Sequence, residues 1–237
     1  MAVSSRAAGL LAAGAIPASP PSLYGGLADV VAVLVLLSAF AMLRAPMVRS
    51  QIRLYAFQSL AVVVLSAVVA ATHHIGDLYA LAGLSFVLKV VVVPAIVLRM
   101  LDRAEVDIAG STAHSTATMT LIGLAVSAAG LFTVGAVHLR STVLPVAGLA
   151  VAVAVVLVSF VLIVLRSDVV SQAVGFFSLE NGVSVASLVV ASRLPIIFEI
   201  AFLFDLLVAV VVFGLVMRVH HGRASTLSTE DLDRLRG

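Results

Sequence analysis

Stretches of about 20 nearly uncharged residues recur along this chain, and they constrain its fold more than any other feature. That length lets an α-helix cross the ~30 Å hydrocarbon core of a bilayer at 1.5 Å per residue. Seven runs can be delimited: residues 25–44, 53–72, 78–100, 118–137, 143–165, 173–192 and 195–217. With 62% hydrophobic and 11% charged residues and a mean hydropathy of +1.22, the chain is too apolar for a soluble domain of its length. The expected fold class is all-α, a polytopic membrane protein of seven transmembrane helices.

The breaks between runs are short: "RAPMVRSQ", "HHIGD", "LRST", "RSDVVSQ" and "SRLP". Only "LDRAEVDIAGSTAHSTA", residues 101–117, reads as a longer loop. Basic residues set the orientation through the positive-inside rule. With the N-terminus outside, the inner side receives Arg44, Arg49, Arg53, Arg99, Arg103, Arg166, Arg218, Arg223, Arg234 and Arg236, and the outer side keeps Arg6, Arg140 and Arg193. The expectation is N-out, C-in. "MAVSSRAAGLLAAGAIPASP" has the weak outline of a signal peptide, but it is read as a partly embedded N-terminal extension. Residues 218–237 form a polar cytoplasmic tail, with Ser228 or Thr229 able to cap a short helix.

A shift of 119 positions lays the chain partly on itself. "AFQSL" (56–60) falls on "GFFSL" (175–179), and "VVVPAIVLRM" (91–100) on "VVVFGLVMRV" (210–219). Spans one to three and five to seven then run in the same directions, and span four returns the chain between them. This is a 3+1+3 parallel repeat. The division expected from it is an extension (1–24), a three-helix bundle (25–100), a loop and linking helix (101–142), a second three-helix bundle (143–217) and the tail (218–237).

Ionisable residues interrupt this pattern. Lys89 lies deep in the third span, Glu180 in the sixth and Asp205 in the seventh, all near mid-membrane; Glu199 and Asp29 are shallower. Each mid-membrane charge costs about 2.5–3.5 kcal/mol on insertion scales, so pairing, water or neutralisation must offset it. The chain has 13 Arg and one Lys, and that Lys is the basic residue at mid-membrane. Burial can drive a lysine neutral, whereas arginine stays protonated. Carboxylates and a deprotonatable amine at one depth are the parts of a proton relay, in which Asn181, Ser178 and Ser184 would order water. The candidate proton path is thus Glu180, Asp205, Lys89, Glu199 and Asn181. A Lys–carboxylate pair that merely locks helices is the plain structural alternative.

The sequence excludes other chemistry more readily. Without cysteine there are no thiolate metal ligands, thiol nucleophiles or disulfides. His73–His74 and His220–His221 sit at a span end or in the tail and read as solvated residues. Pro94 marks a helix kink and Pro195 a helix start. Phosphate loops, nucleophile elbows and metal-ligand motifs are absent from the sequence. No cofactor, no metal site and no catalytic residue is expected.

"YAFQSL" (55–60), "FVLKVVVVPAIVLRML" (86–101), "GFFSLENG" (175–182) and "FEIAFLFDLLVAVVV" (198–212) resemble component E of hydrogenase-4. That is a membrane subunit of group 4 [NiFe]-hydrogenase and formate hydrogenlyase complexes. Residues 143–237 are also similar to the K-type subunit of respiratory complex I, in which the second and third of three helices each carry a buried Glu. Glu180 matches the first and Asp205 stands, one methylene shorter, at the second. Lys89 has no counterpart in that three-helix subunit. The resemblance covers spans two, three, six and seven, and hardly the fourth and fifth. It implies a non-catalytic subunit of an oxidoreductase complex in a bacterial inner membrane, in the bilayer beside antiporter-like and other membrane subunits, with no nucleic-acid partner. Two other readings remain open: a stand-alone 3+1+3 small-solute carrier like the SWEET sugar transporters, and a pure scaffold.

Overall fold

The computed structural model describes residues 23–74, 76–103, 115–136, 146–190 and Gly214. Among them the chain is all-helical, without strands. Helices α1 (Leu23–Arg44) and α2 (Val48–His73) are followed by a helix in three consecutive pieces. These are α3 (Gly76–Ser85), a π-helical segment (Phe86–Val92) and α4 (Val93–Arg103). Next come α5 (Thr116–Ala136), α6 (Val146–Leu165) and α7 (Val169–Val190). Among the described residues, four stretches are long and apolar enough to cross a membrane: Val48–Thr72, Gly76–Asp102, Thr116–Gly135 and Gly148–Leu165. In hydrocarbon only internally hydrogen-bonded backbone is tolerated, so even these Val-rich runs become helices. The expected seventh span falls outside the described residues except for the helical Gly214, where an added Cβ would meet the Met100 side chain of α4 at 3.0 Å.

Two hairpins organise the bundle. Residues 45–47 turn α1 into α2, and residues 166–168 turn α6 into α7. The turns interlock: the buried Arg166 Nη2 donates to the carbonyls of Leu43 (3.2 Å) and Ala45 (2.6 Å). Gln51 Nε2 also donates to the Ala45 carbonyl at 3.0 Å, which satisfies exposed backbone at the end of α1. Burial lowers the Arg166 pKa and the neighbouring Asp168 opposes that shift. Asp168 itself caps α7, its Oδ1 accepting the Ser171 N–H at 2.7 Å. At the same end, Arg49 of α2 bonds Asp102 of α4 at 2.6 Å. One end of the bundle therefore gathers Arg44, Arg49, Asp102, Arg166 and Asp168.

Glycine lets α6 and α7 touch. A Cβ on Gly175 would meet Ile163 Cγ1 at 2.7 Å, and one on Gly182 would meet Val156 Cγ2 at 2.9 Å. Small residues that admit close backbone approach are the usual device of helix packing in lipid. α7 also packs on α2, while α3 and the π-helical segment flank α2 on another side. The core between them includes Tyr55, Leu65, Val93, Val97, Leu162, Val174 and Phe177.

The expected kink at Pro94 takes a different form. The helix widens into the π-helical turn just before it, and the Val93 N–H bonds back to the Leu88 carbonyl, five residues away. Proline has no N–H and its ring crowds the carbonyl four residues earlier, so a wider turn upstream relieves both problems without breaking the helix. Lys89 lies within that turn.

Candidate functional site

Lys89 and Glu180 meet across the bundle. Lys89 Nζ lies 2.8 Å from Glu180 Oε1, and the residues are only 4% and 8% exposed. The π-helical segment delivers the ammonium, and α7, anchored on α6 through its glycines, delivers the carboxylate. The effective dielectric in such a place is low, so the pair is held strongly, and removing one partner leaves an expensive buried charge.

A cavity of about 50 Å³ adjoins the pair. It lies between α2, α3 and α7 and includes Ser59, Ser66, Ser85, Ser184 and Ser187 in its wall. A water needs roughly 10–15 Å³ measured this way, so the space suits about three to five. The hydroxyls are not equivalent. Ser66 donates to the Val62 carbonyl (3.0 Å), Ser184 to that of Glu180 (2.9 Å) and Ser187 to that of Val183 (3.0 Å). With their protons committed to backbone, these three oxygens offer acceptors to the cavity. Ser59 instead accepts from Asn181 Nδ2 at 2.9 Å, leaving its own proton to donate.

Asn181, expected to order water between the ionisable groups, turns its amide nitrogen toward α2. It is fully buried against α2, donating to Gln58 Oε1 at 3.2 Å as well as to Ser59, and Gln58 Nε2 passes the chain to the Val35 carbonyl of α1 at 3.1 Å. Ser178 also lies away from the pair, donated to by Ser159 of α6 at 2.8 Å. Helical geometry explains both results. Residues 184 and 187, four and seven positions beyond 180, share the face of Glu180, whereas 178 and 181 are turned about 100–200° from it. Ser184 does line the cavity. Asp205 and Glu199 lie outside the described residues.

Sequence reasoning missed Ser66, Ser85 and Ser187, which only the shared helix faces reveal, and the Gln58–Ser59 partner of Asn181. The signal for the latter was present, because both residues belong to the "AFQSL" stretch that matched "GFFSL". Among the described residues no group of three or more His, Cys, Asp or Glu could hold a metal ion.

Comparison with known proteins adds little. No protein-family model and no solved structure matches the chain. It is 36% identical over 86 residues to the uncharacterized protein Rv0085 of Mycobacterium tuberculosis, a stretch that is 36% of this chain and 37% of that protein. The chain thus spans little more than a third of the relative's length.

Proposed function

We propose that this chain is a non-catalytic membrane subunit of an energy-conserving, hydrogenase-4-like complex, and that its buried charged residues form part of a proton path. The observation that carries this reading is the Lys89–Glu180 pair, closed off from bulk solvent and opening on a serine-lined, water-sized cavity. An amine and a carboxyl in contact at that depth are groups of the kind that carry protons through membrane proteins. Both residues fall within stretches, "FVLKVVVVPAIVLRML" and "GFFSLENG", that resemble component E. Asp205 and Glu199 would continue the path from the seventh span.

The seven-span 3+1+3 arrangement belongs to the same proposal. It draws support from the two hairpins, α1–α2 and α6–α7, each turned by three residues, with the turns locked together at one end of the bundle. The gathering of Arg44, Arg49 and Arg166 at that end agrees with an N-out, C-in orientation in a bacterial inner membrane. Among the described residues, the cavity beside the pair measures about 50 Å³, a size that suits water and not the small organic molecules held by pockets of ~300–1,000 Å³. The same salt bridge also supports a second reading, a lock that fastens the π-helical segment to α7.

Purification of the tagged chain from membranes tests the subunit assignment. Antiporter-like and [NiFe] subunits should co-purify in fixed ratio by mass spectrometry. A stable, isolated protein that moves a sugar in liposomes would overturn it.

A further inference from the structure

The cavity is not centred on the ion pair; it lies to one side. Along α2 it runs from Ser59, level with the pair, to Ser66, and along α7 from Glu180 to Leu188. Along the antiparallel π-helical segment and α3 it runs from Lys89 back to Leu81. All three displacements point the same way, toward the end where α2 finishes at His73, α3 begins at Gly76 and α7 finishes at Val190. Seven or eight residues at 1.5 Å each carry it roughly 10–12 Å from the pair. That end is opposite the one that gathers Arg44, Arg49, Asp102 and Arg166.

Toward the arginine end, the described residues close tightly around the pair. One turn from Ser59 toward the arginine end stands Tyr55, and its ring meets that of Phe177 on α7 with centroids 5.5 Å apart. Val93 stands one turn beyond Lys89 on α4, and Ile52, Val97, Ala173 and Val174 continue the layer, all buried in the core. Buried rings and β-branched side chains in close contact leave little space for a continuous water file, and the Tyr55 hydroxyl at the edge of this layer meets Ser59.

We infer that the Lys89–Glu180 pair communicates with water from one side only, through the serine-lined cavity facing the Gly76 end, and is sealed from the arginine end by Tyr55, Phe177 and the valine layer. This rests on the reading of the pair as a protonatable centre, and it specifies how protons reach that centre. The site is a half-channel. A proton arriving from the Gly76 end finds donors and acceptors up to Glu180, and onward transfer toward the arginine end requires the aromatic layer to open or a lateral partner to take the proton.

The chain contains no cysteine, so single cysteines can be placed without a background thiol. Ser66→Cys and Ser187→Cys line the cavity with near-isosteric replacements, while Ala173→Cys and Val97→Cys probe the sealed side. Each variant is expressed with its complex in intact membranes of known sidedness. Silver ion, close to sodium in size, is added in chloride-free buffer to one face at a time, and protected thiols are counted by maleimide labelling after denaturation. The introduced thiols are probes, and their reaction rates report access alone. The expected result is reaction at positions 66 and 187 at least about tenfold faster from the face that carries Gly76 than from the other, and slow reaction at 173 and 97 from both. Equal rates from both faces, fast reaction at 173 or 97, or no reaction at 66 and 187 would each overturn the inference. A sided result together with full coupling in Glu180→Gln would refute the proton-path reading alone; an unsided result with an uncoupled Glu180→Gln would refute the half-channel alone.

Discussion

Separating the two halves of the ion pair has a cost that can be worked out. In Glu180→Gln the ammonium of Lys89 loses the carboxylate 2.8 Å away, in a place where it is 4% exposed. Breaking a buried pair in this way costs about 3–5 kcal/mol. Lys89→Met strands the carboxylate instead and should cost a similar amount. The double variant Lys89→Met/Glu180→Gln removes both charges and should recover most of the loss, since neutral replacement of buried pairs is often close to neutral in stability. The assay is thermal unfolding of the chain in its purified complex. Single variants as stable as the wild type, or a double variant no better than either single one, would refute the pairing.

Asn181→Leu should cost about 0.6–2 kcal/mol, the range found for interhelical hydrogen bonds in lipid, and should loosen α7 from α2, measured as faster hydrogen exchange around Gln58 and Ser59. Gly182→Val would press on Val156 and should destabilise by about 1–3 kcal/mol, whereas Gly83→Ala, with nothing within 4 Å of its Cβ, should be silent in the same melting assay. For topology, reporter fusions after Arg49, Ala109 and Gly237 should all show a cytoplasmic signal and one after Gly76 an external one; a cytoplasmic signal at Gly76 would overturn the proposed orientation.

Hydropathy made the helices legible, and polar residues blurred their ends. α2 begins at Val48 and not at 53, because Arg49 and Gln51, which read as a break, are held by Asp102 and the Ala45 carbonyl. α7 begins at Val169 and not at 173, because Asp168 caps it and Gln172 reaches back to the Arg166 carbonyl at 2.8 Å. The π-helical turn left only Pro94 as a clue, since one extra residue per turn barely alters an almost uniformly apolar pattern. Lys89 and Glu180 stood out by depth in their spans, which rise per residue fixes. The facing of Asn181 and Ser178 did not, because which neighbour a helix face meets is decided by packing between helices, and here by the glycines of α7.

Proton movement coupled to redox turnover in a Glu180→Gln complex tests the central claim most directly. Glutamine keeps the shape and hydrogen-bonding capacity of the side chain but cannot carry a proton at neutral pH. With the assembled complex reconstituted in vesicles, proton translocation per turnover should collapse, while Glu180→Asp keeps part of it. A fully assembled Glu180→Gln complex that translocates protons at the wild-type ratio would contradict the account.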